Sequence, residues 1–269
     1  MKWRKLSNWL PEISGYTHAA MPFYFEGDVY YSPRRNGLSE IWRASFNLKT
    51  LTMGTPELYL SHGKDGEYDD YGAMVSWLKR DAAGRILCYF VGWNRPVNVA
   101  FRNCIGVALN GHKLYGPLKD RNLYDNVGVG ACCDGLRWYV SLLGWERRDL
   151  RLEPRYHIVN GNPHSPAITF KNHETEWAIA RPCVIQDGDL YRMWYCYRGL
   201  EYRIGYAESK DGLQWERKDE DAGITIGEHG AFDDEAVAYP HVFDSDGQRY
   251  MLWNGNGYGR TGFGIAILD

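Results

Sequence analysis

Ala178-Ile179-Ala180-Arg181-Pro182-Cys183-Val184-Ile185, Leu190-Tyr191-Arg192-Met193-Trp194-Tyr195-Cys196-Tyr197-Arg198 and Tyr202-Arg203-Ile204-Gly205-Tyr206-Ala207 are three short apolar or aromatic runs that follow one another. Turn residues part them, with Asp187-Gly188-Asp189 after the first and Gly199 after the second. Short runs alternating with turn chemistry read as antiparallel strands. A fourth strand is expected after Lys210-Asp211-Gly212, at Gln214-Trp215-Glu216-Arg217. So small a twisted sheet cannot bury both its faces alone, and it needs copies of itself beside it.

Used as a template, the unit recurs. Ala20-Met21-Pro22-Phe23-Tyr24-Phe25, Val29-Tyr30-Tyr31-Ser32 and Ile41-Trp42-Arg43-Ala44 form one copy. Ala73-Met74-Val75-Ser76-Trp77-Leu78, Arg85 to Val91 and Ile105-Gly106-Val107-Ala108 form the next. The third copy is fainter: Gly130-Ala131-Cys132-Cys133, the turn Asp134-Gly135, Leu136 to Val140, and Tyr156 to Val159. The quoted stretch is the fourth. Ala238-Tyr239-Pro240-His241-Val242-Phe243, Tyr250-Met251-Leu252-Trp253 and Phe263-Gly264-Ile265-Ala266 are the fifth. Pro22, Val75, Ala131, Pro182 and Pro240 then mark equivalent positions, spaced by 53, 56, 51 and 58 residues. Blade repeats of propellers run to about 40–50 residues, and propellers carry about 4–8 blades. The expectation is an all-β fold: one five-bladed β-propeller domain over residues 1–269, built of four-stranded antiparallel blades. The fifth copy stops at Asp269 after three strands. Lys2-Trp3-Arg4-Lys5 resembles the fourth strand of the fourth copy, so the N-terminal strand is expected to close the ring and cover the open edge.

Composition agrees with that class. Twenty Tyr and eleven Trp suit pleated, half-buried strands, and 44% hydrophobic residues supply a sizeable core. No long stretch has helical periodicity. A formal net charge of −3, with the signs mixed along the chain, argues against nucleic acid as partner. The basic start lacks the apolar run of a signal peptide, and no stretch is long enough for a membrane helix, so a cytoplasmic location is expected. The six cysteines show no C-x-x-C spacing and read as reduced core thiols. No spacing matches a metal-ligand motif, and no cofactor is expected.

Across nearly its whole length the chain resembles the five-bladed propellers of glycoside hydrolase family 43 and its relatives in families 32, 68 and 130. The carrying residues are Met21-Pro22, Arg181-Pro182, Tyr239-Pro240, the strand Tyr191 to Tyr195, and Ile204-Gly205-Tyr206-Ala207-Glu208-Ser209-Lys210-Asp211-Gly212-Leu213-Gln214-Trp215. The last resembles the Ile-Gly-x-Ala-x-Ser-x-Asp-Gly-x-x-Trp pattern of glycosidases of this type, whose residues shape turns and packing. The resemblance implies a catalytic carboxylate trio at the starts of the first three innermost strands. Those positions hold Ala20 and Met21, Ala73 and Met74, and Val129 and Gly130, so the trio does not carry over.

Polar groups do recur four to six positions upstream of the equivalent positions: His18, Asp69 and Asp70, Asp125 and Asn126, Glu176 and Trp177, and Asp233, Asp234 and Glu235. In a closed ring such residues would face one another, and crowded carboxylates split into an acid and a base. Glycosidic cleavage needs that pair. Asp70, Glu176 and Glu235 are therefore the expected catalytic residues, with Glu146 a further acid. Each also has an ordinary reading as a turn carboxylate. His18 stands where the first carboxylate is missing, as base, donor or simply a buried imidazole. Asp69 and Asp234 join the expected sugar-binding set. So do Trp93, Trp177 and Tyr239 as stacking platforms and Asn254 as a hydroxyl-recognising amide. Arg34, Arg35, Arg181 and Arg198, with Arg260, suit a carboxylate or phosphate on the substrate, or salt bridges to the acidic ring. The expected function is a carbohydrate-active enzyme acting on a glycosidic or sugar-linked substrate, acidic or phosphorylated. The alternatives are a sugar-binding propeller without catalysis and a non-hydrolytic sugar-modifying enzyme.

Overall fold

Residues 1–95, 101–116, 127–133, 137–148, 151–160 and 166–269 are described by the computed structural model. Nearly every alternating run becomes a strand. β1 (Trp3–Trp9) opens the chain. β2 (Thr17–Phe25), β3 (Asp28–Arg35), β4 (Leu38–Ser39), β5 (Ile41–Asn47), β6 (Thr52–Met53) and β7 (Glu57–Leu60) follow. β3 pairs with β2, β4 and β5, and β5 pairs with β6 and β7, all antiparallel. β8 (Gly72–Arg80), β9 (Ile86–Asn94), β10 (Arg102–Leu109) and β11 (His112–Tyr115) form an antiparallel meander. So do β12 (Val127–Cys133), β13 (Arg137–Arg148), β14 (Arg151–Asn160) and β15 (Pro166–Ile168). The stretch Ala178 to Ala207 becomes β16 (Ala178–Asp187), β17 (Leu190–Arg198) and β18 (Tyr202–Ser209), with a short β19 (Glu216–Arg217) outside them. β20 (Ala238–Ser245), β21 (Gln248–Asn254) and β22 (Phe263–Leu268) complete the chain.

These strands lie in sheets of four, ten and eight strands. Single parallel bridges, Ser39 to Gly72 and Tyr156 to Ala178, join neighbouring meanders. β1 pairs with β22 from Trp3–Leu268 to Trp9–Phe263, so the N-terminal strand covers the outer edge of the C-terminal sheet. Among the described residues, helix is limited to a 3-10 turn at Asp219–Ala222 and a helical turn at Asn256–Gly259.

The recurring positions read from the sequence lie in or beside bulges, with Pro22, Pro182 and Pro240 inside them. Register shifts fall between Ala20 and Phe23 in β2, Val75 and Trp77 in β8, and Val127 and Gly130 in β12. They recur between Ala180 and Cys183 in β16 and between Ala238 and His241 in β20. A bulge leaves a backbone amide without a ladder partner. Here a side chain from the second strand of the preceding meander supplies an acceptor. Ser32 Oγ takes the Val75 amide at 3.1 Å, and Ser141 Oγ takes the Arg181 amide at 2.9 Å. Cys196 Sγ takes the Tyr239 amide, and Asn254 Oδ1 takes the Met21 amide at 2.9 Å. The last contact links the final meander to the first.

Met21, Arg181 and Tyr239 hold φ of 54°, 56° and 54°, a left-handed backbone that costs energy in a non-glycine residue. Met21, Val75, Ala180 and Tyr239 meet in one buried cluster, so the innermost strands converge there. A second cluster packs Trp3, Trp194, Ile204, Val242 and Trp253 between sheets. Cys88, Cys104, Cys183 and Cys196 are buried and not joined in disulfides with one another. Asp125, Asn126 and the turn Asp134-Gly135 lie outside the described residues, as does the side chain of Glu146.

Candidate functional site

The acidic positions do not all face one another. Three reach instead toward the outermost strand of their own sheet. Asp69, 0% exposed, pairs with Lys113 of β11 at 2.6 Å. Burial pushes its carboxyl up, and Lys113 pulls against that shift. Asp233 pairs with Lys5 of β1 at 2.6 Å and accepts the Trp253 indole at 3.0 Å. Glu176 holds Arg217 of β19 through two bonds of 2.8 and 2.9 Å. Arg217 also reaches Asp219 at 2.7 Å, and Tyr195 donates to Asp219 at 2.5 Å. Burial opposes the Arg217 charge, but its acidic partners outweigh that and hold its pKa up. Glu176, expected to be catalytic, is a strand clamp in this geometry.

Two of these acids sit in copies of one loop. Gly63-Lys64-Asp65-Gly66-Glu67-Tyr68-Asp69-Asp70 and Gly227-Glu228-His229-Gly230-Ala231-Phe232-Asp233-Asp234 share a Gly-x-x-Gly-x-aromatic-Asp-Asp pattern. Their bonds match. The first glycine amide donates to the first aspartate carbonyl, at 2.9 and 3.1 Å. The second glycine amide donates to the second aspartate carboxylate, Gly66 to Asp70 at 2.9 Å and Gly230 to Asp234 at 2.7 Å. Asp234 also accepts Asn256 Nδ2 at 2.7 Å, and the Gly230 amide and Asn256 hold its pKa down. Asp70 keeps one carboxylate oxygen outside this turn. Glu235 is exposed, its amide fixed by Asn256 Oδ1 at 2.9 Å. Neither Asp70 nor Glu235 has an ion pair among the described residues.

A different group of side chains does converge, near the start of one first strand and the ends of three second strands. His18 is the second residue of β2, Arg34 and Trp93 are the next to last of β3 and β9, and Arg198 ends β17. Arg34 lies over the Trp93 ring at 6.0 Å. Burial lowers the Arg34 pKa, and the Tyr239 and Tyr258 phenols and Arg95 lie close enough to act on it electrostatically. His18 is half-buried at φ 65°, and burial plus Arg34 and Arg260 push it down to about 4, so it is neutral at pH 7. Arg198 stacks on Tyr202 at 5.3 Å and donates to Tyr258 Oη at 2.8 Å. Tyr202 lies 5.5 Å from Tyr239 and 5.9 Å from Tyr258. The turn that carries Tyr258 and Arg260 is seated by Gly259, which lies against the Ala19 and Ala20 backbone at φ 85° with no room for a Cβ. Beneath them Arg181, 2% exposed, crosses to the Val75 carbonyl at 2.8 Å. Burial pushes its pKa down to about 10, still high enough to stay charged at pH 7.

His18, Arg34, Trp93, Arg198 and Tyr239 thus fall together, with Arg181 beneath. Arg35, the neighbour of Arg34, alternates away and stacks on Tyr16 at 4.8 Å. Asn254, 0% exposed, accepts the Met21 amide through Oδ1, and its Nδ2 has no hydrogen-bond partner. The Trp177 amide donates to the Arg198 carbonyl at 2.7 Å, extending the ladder beside the cluster. His241 lies within the core, stacked 3.8 Å from Phe23. Sequence reasoning missed Tyr202 and Tyr258. The signal for Tyr258 was present in Gly257-Tyr258-Gly259, where glycines flank an aromatic held at φ 60°.

No family model matches the chain. Two uncharacterized proteins of Mycobacterium tuberculosis match it over 100% of both lengths: MT1551 of strain CDC 1551 / Oshkosh at 32% identity and Rv1502 of strain ATCC 25618 / H37Rv at 31%. Among solved structures, a thermostable family-43 glycoside hydrolase has a TM-score of 0.66 at 15% identity, covering 96% of this chain and 91% of that one. The catalytic domain of the Coprinopsis cinerea GH62 alpha-L-arabinofuranosidase has a TM-score of 0.58 at 10% identity, covering 99% and 96%. The Xanthomonas citri GH43_1 enzyme has a TM-score of 0.60 at 13% identity, covering 99% and 90%. The fold is that of the family-43-like propeller hydrolases, as the sequence resemblance implied.

Proposed function

The chain belongs to one family with the mycobacterial proteins MT1551 and Rv1502, and we propose that its members are carbohydrate-active proteins of glycoside-hydrolase-like fold. The ring is read as one domain of five four-stranded blades, closed by the N-terminal strand. The pairing of β1 with β22 and the Asn254–Met21 bond support that closure. The substrate is a sugar held at the axis by a cytoplasmic protein. The observation that carries this reading is the convergence of Trp93, Tyr202, Tyr239 and Tyr258 beside His18 and Arg34. Aromatic faces pack on the C–H faces of sugar rings, while imidazole and guanidinium donate to hydroxyls.

Catalysis, if the protein turns its sugar over, falls to Asp70 and Glu235 as acid and base, with neutral His18 orienting substrate. A binding role without turnover is the second reading. It is favoured by the ion pairs of Asp69, Asp233 and Glu176, which take three acids out of acid–base service. Release of reducing sugar from a glycoside panel separates the two. Under the enzyme reading, Asp70→Asn and Glu235→Gln each lower kcat at least about a hundredfold and leave sugar binding intact. Turnover equal to wild type in both variants rejects these two carboxylates.

A further inference from the structure

We infer that the convergent cluster is an anion-recognition site, and that the sugar it holds carries a phosphate or a carboxylate. This rests on the carbohydrate reading above and narrows its substrate class. Five arginines elsewhere are tied to acids: Arg43 to Glu57, Arg80 to Glu26, Arg192 to Asp187, Arg217 to Glu176 and Arg249 to Asp187. Those of the cluster are not. Arg34, Arg181, Arg198 and Arg260 have no acid within ion-pair distance among the described residues. The exposed Glu201 is near enough to act on Arg198 electrostatically but makes no ion pair with it.

One of these cations is out of water and a second is half-buried. Arg181 is 2% exposed, and its Nη1 meets only a neutral carbonyl. Arg34 is half-buried, and its Nε, itself out of contact with water, has no hydrogen-bond partner. A buried cation without a counter-charge is costly, and a fold that keeps two close to Tyr239 gains when an anion arrives. The planar guanidinium fork matches phosphate and carboxylate oxygens. Tyr258, already bonded to Arg198, adds a hydroxyl at the rim. Neutral His18 leaves Arg34 as the main charge at the start of β2 and can donate one ring N–H without adding like-charge repulsion.

Isothermal titration with glucose 1-phosphate, glucuronate, glucose and inorganic phosphate, at low and at high salt, tests this. The expected result is that glucose 1-phosphate or glucuronate binds at least about tenfold tighter than glucose and weakens with salt. Arg34→Gln and, separately, the less buried Arg198→Gln should each weaken the anionic sugar about ten- to a hundredfold. Which of the two sugars binds tighter identifies the anion as phosphate or carboxylate. Glucose binding as tightly as both, or anionic binding unchanged in both variants, overturns the inference and leaves the carbohydrate reading standing. Inorganic phosphate binding as tightly as glucose 1-phosphate, and lost with Arg34, keeps the anion site and rejects the sugar. Binding of none of the probes overturns it. Should Arg34→Gln fail to fold, Arg198→Gln and the salt response of the wild type decide the matter.

Discussion

A buried imidazole makes the molecule acid-sensitive. His241 is 3% exposed, stacks on Phe23 and meets the Tyr24 carbonyl through Nε2 at 3.0 Å. Burial, then the nearby Arg181 charge, push its pKa down to about 3 from an ordinary 6.5. The folded state therefore binds the proton more weakly than the unfolded chain. Stability from this group is complete above about pH 6.5 and is lost as pH falls through about 3. His18, held to about 4, acts with the same sign over a similar window. His241→Phe keeps the stacking and removes the titration. It should cost about 1 kcal/mol at neutral pH, from the unpartnered Tyr24 carbonyl. Between pH 6.5 and 3, its urea-unfolding free energy should fall less steeply than that of the wild type. Parallel acid limbs for the two proteins would refute the assignment. The same scale decides what Glu176 does in the fold. Sequence shows an acid near an inner strand, but the cation that claims it, Arg217, lies 41 residues away on β19.

Elements were more legible than side-chain destinations. β16, β17 and β18 match their predicted runs because alternation and turn residues are local signals, and local signals survive in any fold. The bulges were legible only as a spacing. Pro22, Pro182 and Pro240 mark them since proline offers no N–H to a ladder, but the amides of Met21, Arg181 and Tyr239 find their acceptors on other meanders. Two elements carry measurable consequences. β1 docks through Trp3, whose indole donates to the Ala222 carbonyl at 3.0 Å and sits 5.9 Å from Trp194. Trp3→Ala should cost about 3–5 kcal/mol in chemical unfolding, the usual toll of a large buried aromatic. A loss below about 1 kcal/mol would mean that β1 is not integral to the last sheet. β19 is held by Arg217, whose side chain and that of Glu176 are each 9% exposed. Glu176→Gln leaves that guanidinium short of one counter-charge, and a loss of about 3–5 kcal/mol is expected. If Glu176 served the ligand instead, stability would be unchanged and sugar binding would fall.

At the scale of the molecule, the candidate site is a property of assembly. His18, Arg34, Trp93, Arg198 and Tyr258 come from four separate meanders, and a single hairpin brings together only neighbours such as Arg198 and Tyr202. Sequence could nominate them as residues near strand ends, and it did so for all but Tyr202 and Tyr258. It could not show that Arg35 turns away to Tyr16, because that depends on which face of β3 meets the core. The seam between the last meander and the first matters most, since His18 lies on one side and Tyr258 on the other. Asn254 bridges it by accepting the Met21 amide. Its replacement by leucine is similar in size but leaves that buried amide unpaired, at a cost of about 1–3 kcal/mol. In a closed ring the loss is local to the seam. Hydrogen exchange in Asn254→Leu should then quicken first in β1, β2 and β22, while β16 to β18 keep wild-type protection, and sugar binding should weaken with the seam. Exchange that rises equally in β17 and β2 would count against closure at this point. It would mean that the sheets unfold as one unit, with no joint between the last and the first.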